Sequence, residues 1–183
     1  MNTHHPKLLR TAGAVIFAGL ASGQALGQSF ADASAEIGAT IYTPLAISKT
    51  ANLNFGAIKP GSAAGTVLVS AAGVRSATGT NGPTLLNSID VPYPATVSKA
   101  SFAVTGNAAS LYTISFSDIS VDLYGYTSSK MTVNGFVTSK SGSSGTFAVN
   151  GTDTFDVGAT LNVGANQAAG EYSGMFHVMV NYQ

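Results

Sequence analysis

The chain has 183 residues, with eight basic and eight acidic side chains, no cysteine, no tryptophan and a mean hydropathy of +0.25. Without cysteine there is neither a disulfide nor thiolate chemistry, so the core and the backbone hydrogen bonds must hold the fold alone. The charges are scattered singly, which excludes the basic patch that nucleic acid or an anionic membrane would require.

At the N-terminus, MNTHHPKLLR places Lys7 and Arg10 ahead of the apolar run TAGAVIFAGLA, and Ala25-Leu26-Gly27 follows as a fit to a signal-peptidase site. A membrane anchor would need about 20 apolar residues. Gly13, Gly19 and Ser22 interrupt this run well before that. Residues 1–27 therefore read as a removable export signal, which places the mature protein in the periplasm, at the cell surface or outside the cell. Residues 28–43 read as an N-terminal strand or extension, and residues 44–183 as a single folded domain. The mature chain keeps six basic residues against eight acidic ones, a formal charge of −2.

After Gly27 the apolar residues alternate instead of recurring at helical spacing. ASAEIGATI puts Ala33, Ala35, Ile37, Ala39 and Ile41 on one face. GTVLVS, SKASFAVTG, LYTISFS and KMTVNGFVT predict further strands, separated by Gly, Pro and Asn punctuation. Residues 71–95 gather Gly, Ser, Thr and three prolines and predict a long surface loop. TFAVNGTDTFDV contains Asn150-Gly151, a favoured turn pair, and predicts a hairpin. DVGATLNVG and the tail supply the last strands. In the tail, Gly170, Tyr172, Gly174, Phe176, Val178, Val180 and Tyr182 share one face. Several short strands without intervening helices predict an all-β, antiparallel, Ig-like Greek-key sandwich. The tail is expected to pair with residues 158–163 on one side. On its other side it would take residues 33–41, from its own chain or from another copy.

Candidate chemistry is sparse. His177 is the one histidine beyond Gly27, and it reads as a packing or surface residue. Asp118/Asp122 and Asp153/Asp156 are the nearest acid pairs and read as solvated carboxylates. NGTDTFD lacks the alternating carboxylates and the closing Glu of a calcium loop, and GSAAGT opens no helix that could hold a phosphate. The sequence thus predicts no enzyme, no cofactor and no metal. Tyr93, Tyr124 and Tyr126 are the only aromatics from which a glycan-binding module could be built. A membrane barrel would need strands of about 9–11 residues with a lipid-facing apolar band, and the outward positions here are Ser, Thr, Asn and Ala.

PLAISKTANLNFGAIKPGSAAGTVLVS, SFAVTGNAASLYTISF and VGATLNVGANQAAGEYSGMFHVMVNY together resemble family 4402 of the domains of unknown function. Asn54-Phe55-Gly56 and the Asn166-Gln167…Gly170-x-Tyr172-x-Gly174-x-Phe176 run are the most distinctive pieces. The resemblance implies a bacterial, exported β-sandwich without an assigned activity. The tail also resembles the end of chaperone–usher pilus subunits, in its alternating strand, Tyr182 as next-to-last residue and Gly170 fourteenth from the end. That likeness implies an alternating N-terminal extension, here 33–41, that completes the sandwich of a neighbouring copy or a related subunit. Many such subunits carry a disulfide, and this chain cannot. The alternative is a closed monomer in which 33–41 pairs with the tail in cis.

Overall fold

A computed structural model describes residues 31–87, 90, 96–125 and 129–183; the expected export signal lies outside them. Residues 1–39 and 40–183 form separate units. In the first, residues 31–39 are exposed and carry no strand. The alternation at 33–41 therefore does not produce the expected N-terminal strand, and Ile37 and Ile41 are 98% and 93% exposed. A strand needs a neighbour to satisfy its backbone groups, and these residues have no strand partner in the sheets described below.

The second unit is built from antiparallel strands. In chain order they are β1 (Ala46–Ala51), β2 (Asn54–Phe55), β3 (Ile58–Lys59), β4 (Gly65–Val69), β5 (Arg75–Thr78), β6 (Thr84–Leu85), β7 (Val97–Ser98), β8 (Ala100–Thr105), β9 (Leu111–Phe116) and β10 (Ser120–Gly125). β11 (Lys130–Thr138), β12 (Ser144–Thr146), β13 (Thr152–Val163), β14 (Tyr172–Ser173) and β15 (Val178–Tyr182) follow. The long layer runs β1-β8-β13-β11-β10-β14, with β4 also on β13 and β5 on β4. The opposing layer is β12-β9-β15. The β8–β9 and β12–β13 connections pass between layers, as in a Greek-key sandwich.

β13 is the axis. Phe155, Val157, Ala159, Leu161 and Val163 alternate inward and are all buried. One edge pairs with β8 through Val157 and with β4 from Ala159 onward. Gly158 sits at the handover, where a Cβ would collide with the Val69 carbonyl, so glycine is what lets the two strands share that edge. The other edge pairs with β11. β13 therefore has no edge left for the tail, and the expected pairing of the tail with 158–163 is wrong: β15 pairs with β9, Val178 opposite Phe116 and Tyr182 opposite Tyr112.

Three further expectations need correction. Residues 71–95 are not one loop, because β5 pairs with β4 and β6 with β3. Arg75, Ala77 and Leu85 are half-buried there, so short local pairing outweighs the turn-rich composition. The Asn150-Gly151 turn forms, with Gly151 at φ +73° and its N–H on the Ala148 carbonyl, and Ala148 N–H donates to the Thr152 carbonyl across it (3.0 Å), but the flanking strands enter opposite layers and form no ladder with each other. The tail is also not one strand. β14 pairs with β10 in the long layer, and β15 with β9 in the short one.

Two buried clusters result. The first (Ala100, Phe102, Val104, Tyr112, Ile114, Phe147, Phe155, Val157) lies between the layers. The second (Phe55, Val67, Val69, Val133, Ala159, Leu161, Val163) lies on the other half of the long layer. Half-buried Leu53 and Phe136 pack on both.

Candidate functional site

Among the described residues, no strand pairs with the outer edge of β15. Ser117 N–H donates to the His177 carbonyl (3.3 Å) and Gln183 N–H to the Leu111 carbonyl (3.1 Å). With the β15–β9 register, those bonds aim the backbone groups of the odd-numbered residues at β9. The N–H and C=O groups of Val178, Val180 and Tyr182 therefore face outward, where β15 has no strand neighbour among the described residues. Their side chains, with Phe176, pack on the first cluster, while His177, Met179 and Asn181 form the exposed row. Such an edge, apolar on one face and unpaired along its length, is a template for another strand.

Along the tail residues that precede β15, a groove of about 1080 Å³ opens onto the second cluster; its lining ends at His177. Val133, Leu161, Leu123 and Met131 line it together with Leu53 to Ile58 and Gln167 to His177. Phe136 reaches it through a bulge. The β11–β13 register shifts between Asn134 and Val137, with Gly135 at φ +61°. That shift turns Phe136 inward to stack on Phe176, centroids 4.9 Å apart. The sequence reading missed the groove. Its signal was the change of parity between inward Val133 and inward Phe136 across Gly135.

The distinctive tail residues build the groove wall. Tyr172 donates its phenol proton to the Ala168 carbonyl (2.7 Å) and accepts from Gln167 Nε2 (2.9 Å), with Ser129 Oγ at 2.8 Å. Gln167 Oε1 accepts from Gly164 N–H (3.2 Å), and Asn166 N–H donates to the Gly61 carbonyl (2.8 Å). Gly174 presses onto β10, where a Cβ would lie 2.8 Å from both the Asp122 carbonyl and Leu123 Cδ2. Gly170 is exposed with open space around it. Asn54-Phe55-Gly56 forms the facing wall. Asn54 Oδ1 accepts from Gly56 N–H (2.8 Å), and Gly56 at φ +73° leaves room for Arg75. Arg75 donates to the carbonyls of Phe55, Ala57 and Leu86 at 2.8–3.2 Å.

The acids are taken up singly. Asp122 bonds Lys130 and Thr132, Asp156 bonds Lys99 and Ser101, and Asp153 bonds Lys140 and the buried Tyr112 phenol. Burial opposes the charge on Asp153, but Lys140, the Thr154 N–H and Tyr112 together outweigh it and hold the carboxyl below its usual range. Burial, and then Asp153, push the Tyr112 phenol upward. Asp118 Oδ2 accepts from the His177 N–H (2.9 Å) and faces its ring Nδ1 (3.0 Å), and these bonds lower its pKa. Among the described residues no three ligating side chains converge on a metal position. Of the three tyrosines considered for glycan stacking, Tyr124 is exposed, and Tyr93 and Tyr126 lie outside the described residues.

The groove walls and the open edge thus fall on the segments that carry the family resemblance. The model for the family described as Domain of unknown function (DUF4402) matches residues 45–182, and the chain belongs to that family. No curated protein and no solved structure matches it.

Proposed function

We propose that the protein is an exported structural subunit of a bacterial cell-surface assembly, built by strand complementation between copies and without enzymatic activity. The observation that carries this is the outer edge of β15, unpaired along Val178–Tyr182 among the described residues, with an apolar groove lined by the tail residues that precede it, up to His177. The occupant is the 33–41 segment of another copy. It alternates apolar and polar residues, forms no strand of its own and exposes Ile37 and Ile41 almost completely. Because the facing rows share parity, its inward Ala33, Ala35, Ile37, Ala39 and Ile41 fall opposite the inward residues of the tail.

The test is deletion of residues 28–41 from the mature chain. The truncated protein should stay monomeric where the full mature chain forms multimers, and a peptide of residues 28–41 added in trans should raise its Tm. A truncated protein that still multimerises, or a peptide without effect on Tm, would overturn the proposal. Export is checked separately by mass spectrometry of protein from the cell envelope, which should show Gln28 or a near neighbour as the first residue. An intact Met1 there would refute it.

A further inference from the structure

His177 is held by the turn that joins β9 to β10. Asp118 Oδ2 accepts from its backbone N–H (2.9 Å) and faces its ring Nδ1 (3.0 Å), while its carbonyl accepts from Ser117 N–H (3.3 Å). Main chain and ring are thus fixed by two adjacent residues. An ionised carboxylate only accepts, so in the neutral ring Nδ1 carries the proton and Nε2 keeps its lone pair. The His177 side chain is 69% exposed, and Nε2 has no hydrogen-bond partner among the described residues.

The residues two places before and two places after are both methionines. The chain has only four, and Met175 and Met179 are 81% and 48% exposed. Met179 lies in β15 and His177 immediately precedes that strand, so the two share the exposed row with Cα atoms about 6.6 Å apart. Side chains so spaced can lean onto one ion, and the three rotatable bonds of methionine supply the reach. Met175 offers a second thioether on the other side of the ring in sequence. Opposite Met179 on β9 stands Ser115, which brings no positive charge against a bound cation.

We propose that His177 Nε2, with the thioethers of Met179 and Met175, binds a soft monovalent metal ion of the Cu(I) class, and that Asp118 is the positioning residue. No three carboxylate, imidazole or thiolate groups converge among the described residues, which removes the ligand sets that calcium and structural zinc prefer. Thioether sulfur is a softer donor, and with imidazole it favours Cu(I). A ring Nδ1–H held on a carboxylate, with Nε2 left for the metal, is the recurrent arrangement of ligating histidine. It fixes the tautomer and raises the basicity of the ligating nitrogen. The expectation of no metal weighed His177 and the acids alone and passed over the Met-x-His-x-Met spacing. Because these side chains stand on the exposed face and not along the outer backbone edge of β15, the site is independent of the proposed assembly.

The redox-inert probe is Ag⁺, titrated at neutral pH into the full mature chain. One equivalent should shift the Met175 and Met179 methyl carbons and the His177 ring nitrogens together in NMR spectra. The methyl of Met131, which lines the groove, should stay in place. Anaerobic Cu(I) should compete for the same signals, and Zn²⁺ at the same concentration should leave them unmoved. His177 and the two methionines are exposed, so His177→Ala and Met179→Leu should fold as wild type and bind Ag⁺ at least tenfold more weakly, at the lower end of the cost expected for an outer-shell partner, about 10–100-fold. Asp118→Asn should weaken binding by that outer-shell factor and mix the two ring tautomers of His177 in the metal-free protein. Methionine shifts without His177 shifts, equal shifts with Zn²⁺, or unchanged affinity in His177→Ala would overturn the site. Unchanged affinity in Asp118→Asn would overturn the positioning role.

Discussion

Tyr182 ties β15 to the segment that leads into β1: its Oη donates to the Thr43 carbonyl and accepts from the Asn107 N–H, both at 2.7 Å. The first bond holds Thr43 at the end of β15 and the second holds the β8–β9 connection there, while Leu45 and Ile47 pack on the first cluster. Tyr182→Phe keeps the ring and removes both bonds, leaving a half-buried amide without its partner. The expected cost is about 1–2 kcal/mol, read by denaturant unfolding. Faster amide exchange at residues 43–47 should accompany it. A variant with unchanged stability and exchange would show that this tie is not structural.

Gly56→Ala should destabilise by about 1–3 kcal/mol, because a side chain at positive φ is strained. The added Cβ would also stand 2.6 Å from Arg75 Nη1 and 2.7 Å from Val97 Cγ2. Urea unfolding of the mature protein reads the effect. Stability equal to wild type would mean that Arg75 moves freely and that its three carbonyl bonds do little.

The alternation of TDTFDVGATLNV and of VMVNY was legible, and each forms a strand with its apolar face inward. Pairing was not. Which edge of β13 remains free depends on β4, β8 and β11, far apart in sequence, so the tail's partner could not be read from the tail. Residues 33–41 show the limit most clearly. Period-2 alternation states that a segment could bury one face, and it does not state where that face is buried. The tail glycines were visible as a motif, but the reason for Gly174 emerges only when β10 lies beneath it.

Acid should weaken the fold through Asp153. Its folded-state pKa is depressed, so the stability it contributes is fully present above the unfolded carboxyl value of about 4 and is lost as pH falls through the folded value. Asp153→Asn leaves Lys140 and Tyr112 without their acceptor charge and should cost about 1–3 kcal/mol at neutral pH. The same variant should lose less stability on acidification than wild type, as read by Tm between neutral pH and pH 3. Parallel pH curves for the two proteins would show that the Lys140–Asp153 pair, 2.7 Å apart, contributes nothing to the acid response.

Phe176 is where the core and the proposed docking groove meet. It stacks on Phe136 at 4.9 Å and meets Phe102 edge-on at 6.3 Å, yet it is only half-buried and lines the open groove. Full burial would make Phe176→Ala cost about 3–5 kcal/mol. Because part of the ring faces the groove, the isolated domain should lose less, about 1.5–3 kcal/mol, by the same transfer and cavity terms. The missing remainder is recovered only when a strand covers the ring. Wild-type protein should therefore gain more stability than Phe176→Ala from the added 28–41 peptide. Equal gains would show that the incoming strand does not reach Phe176. A full loss of 4 kcal/mol or more without peptide would show that the ring is already enclosed by its own chain.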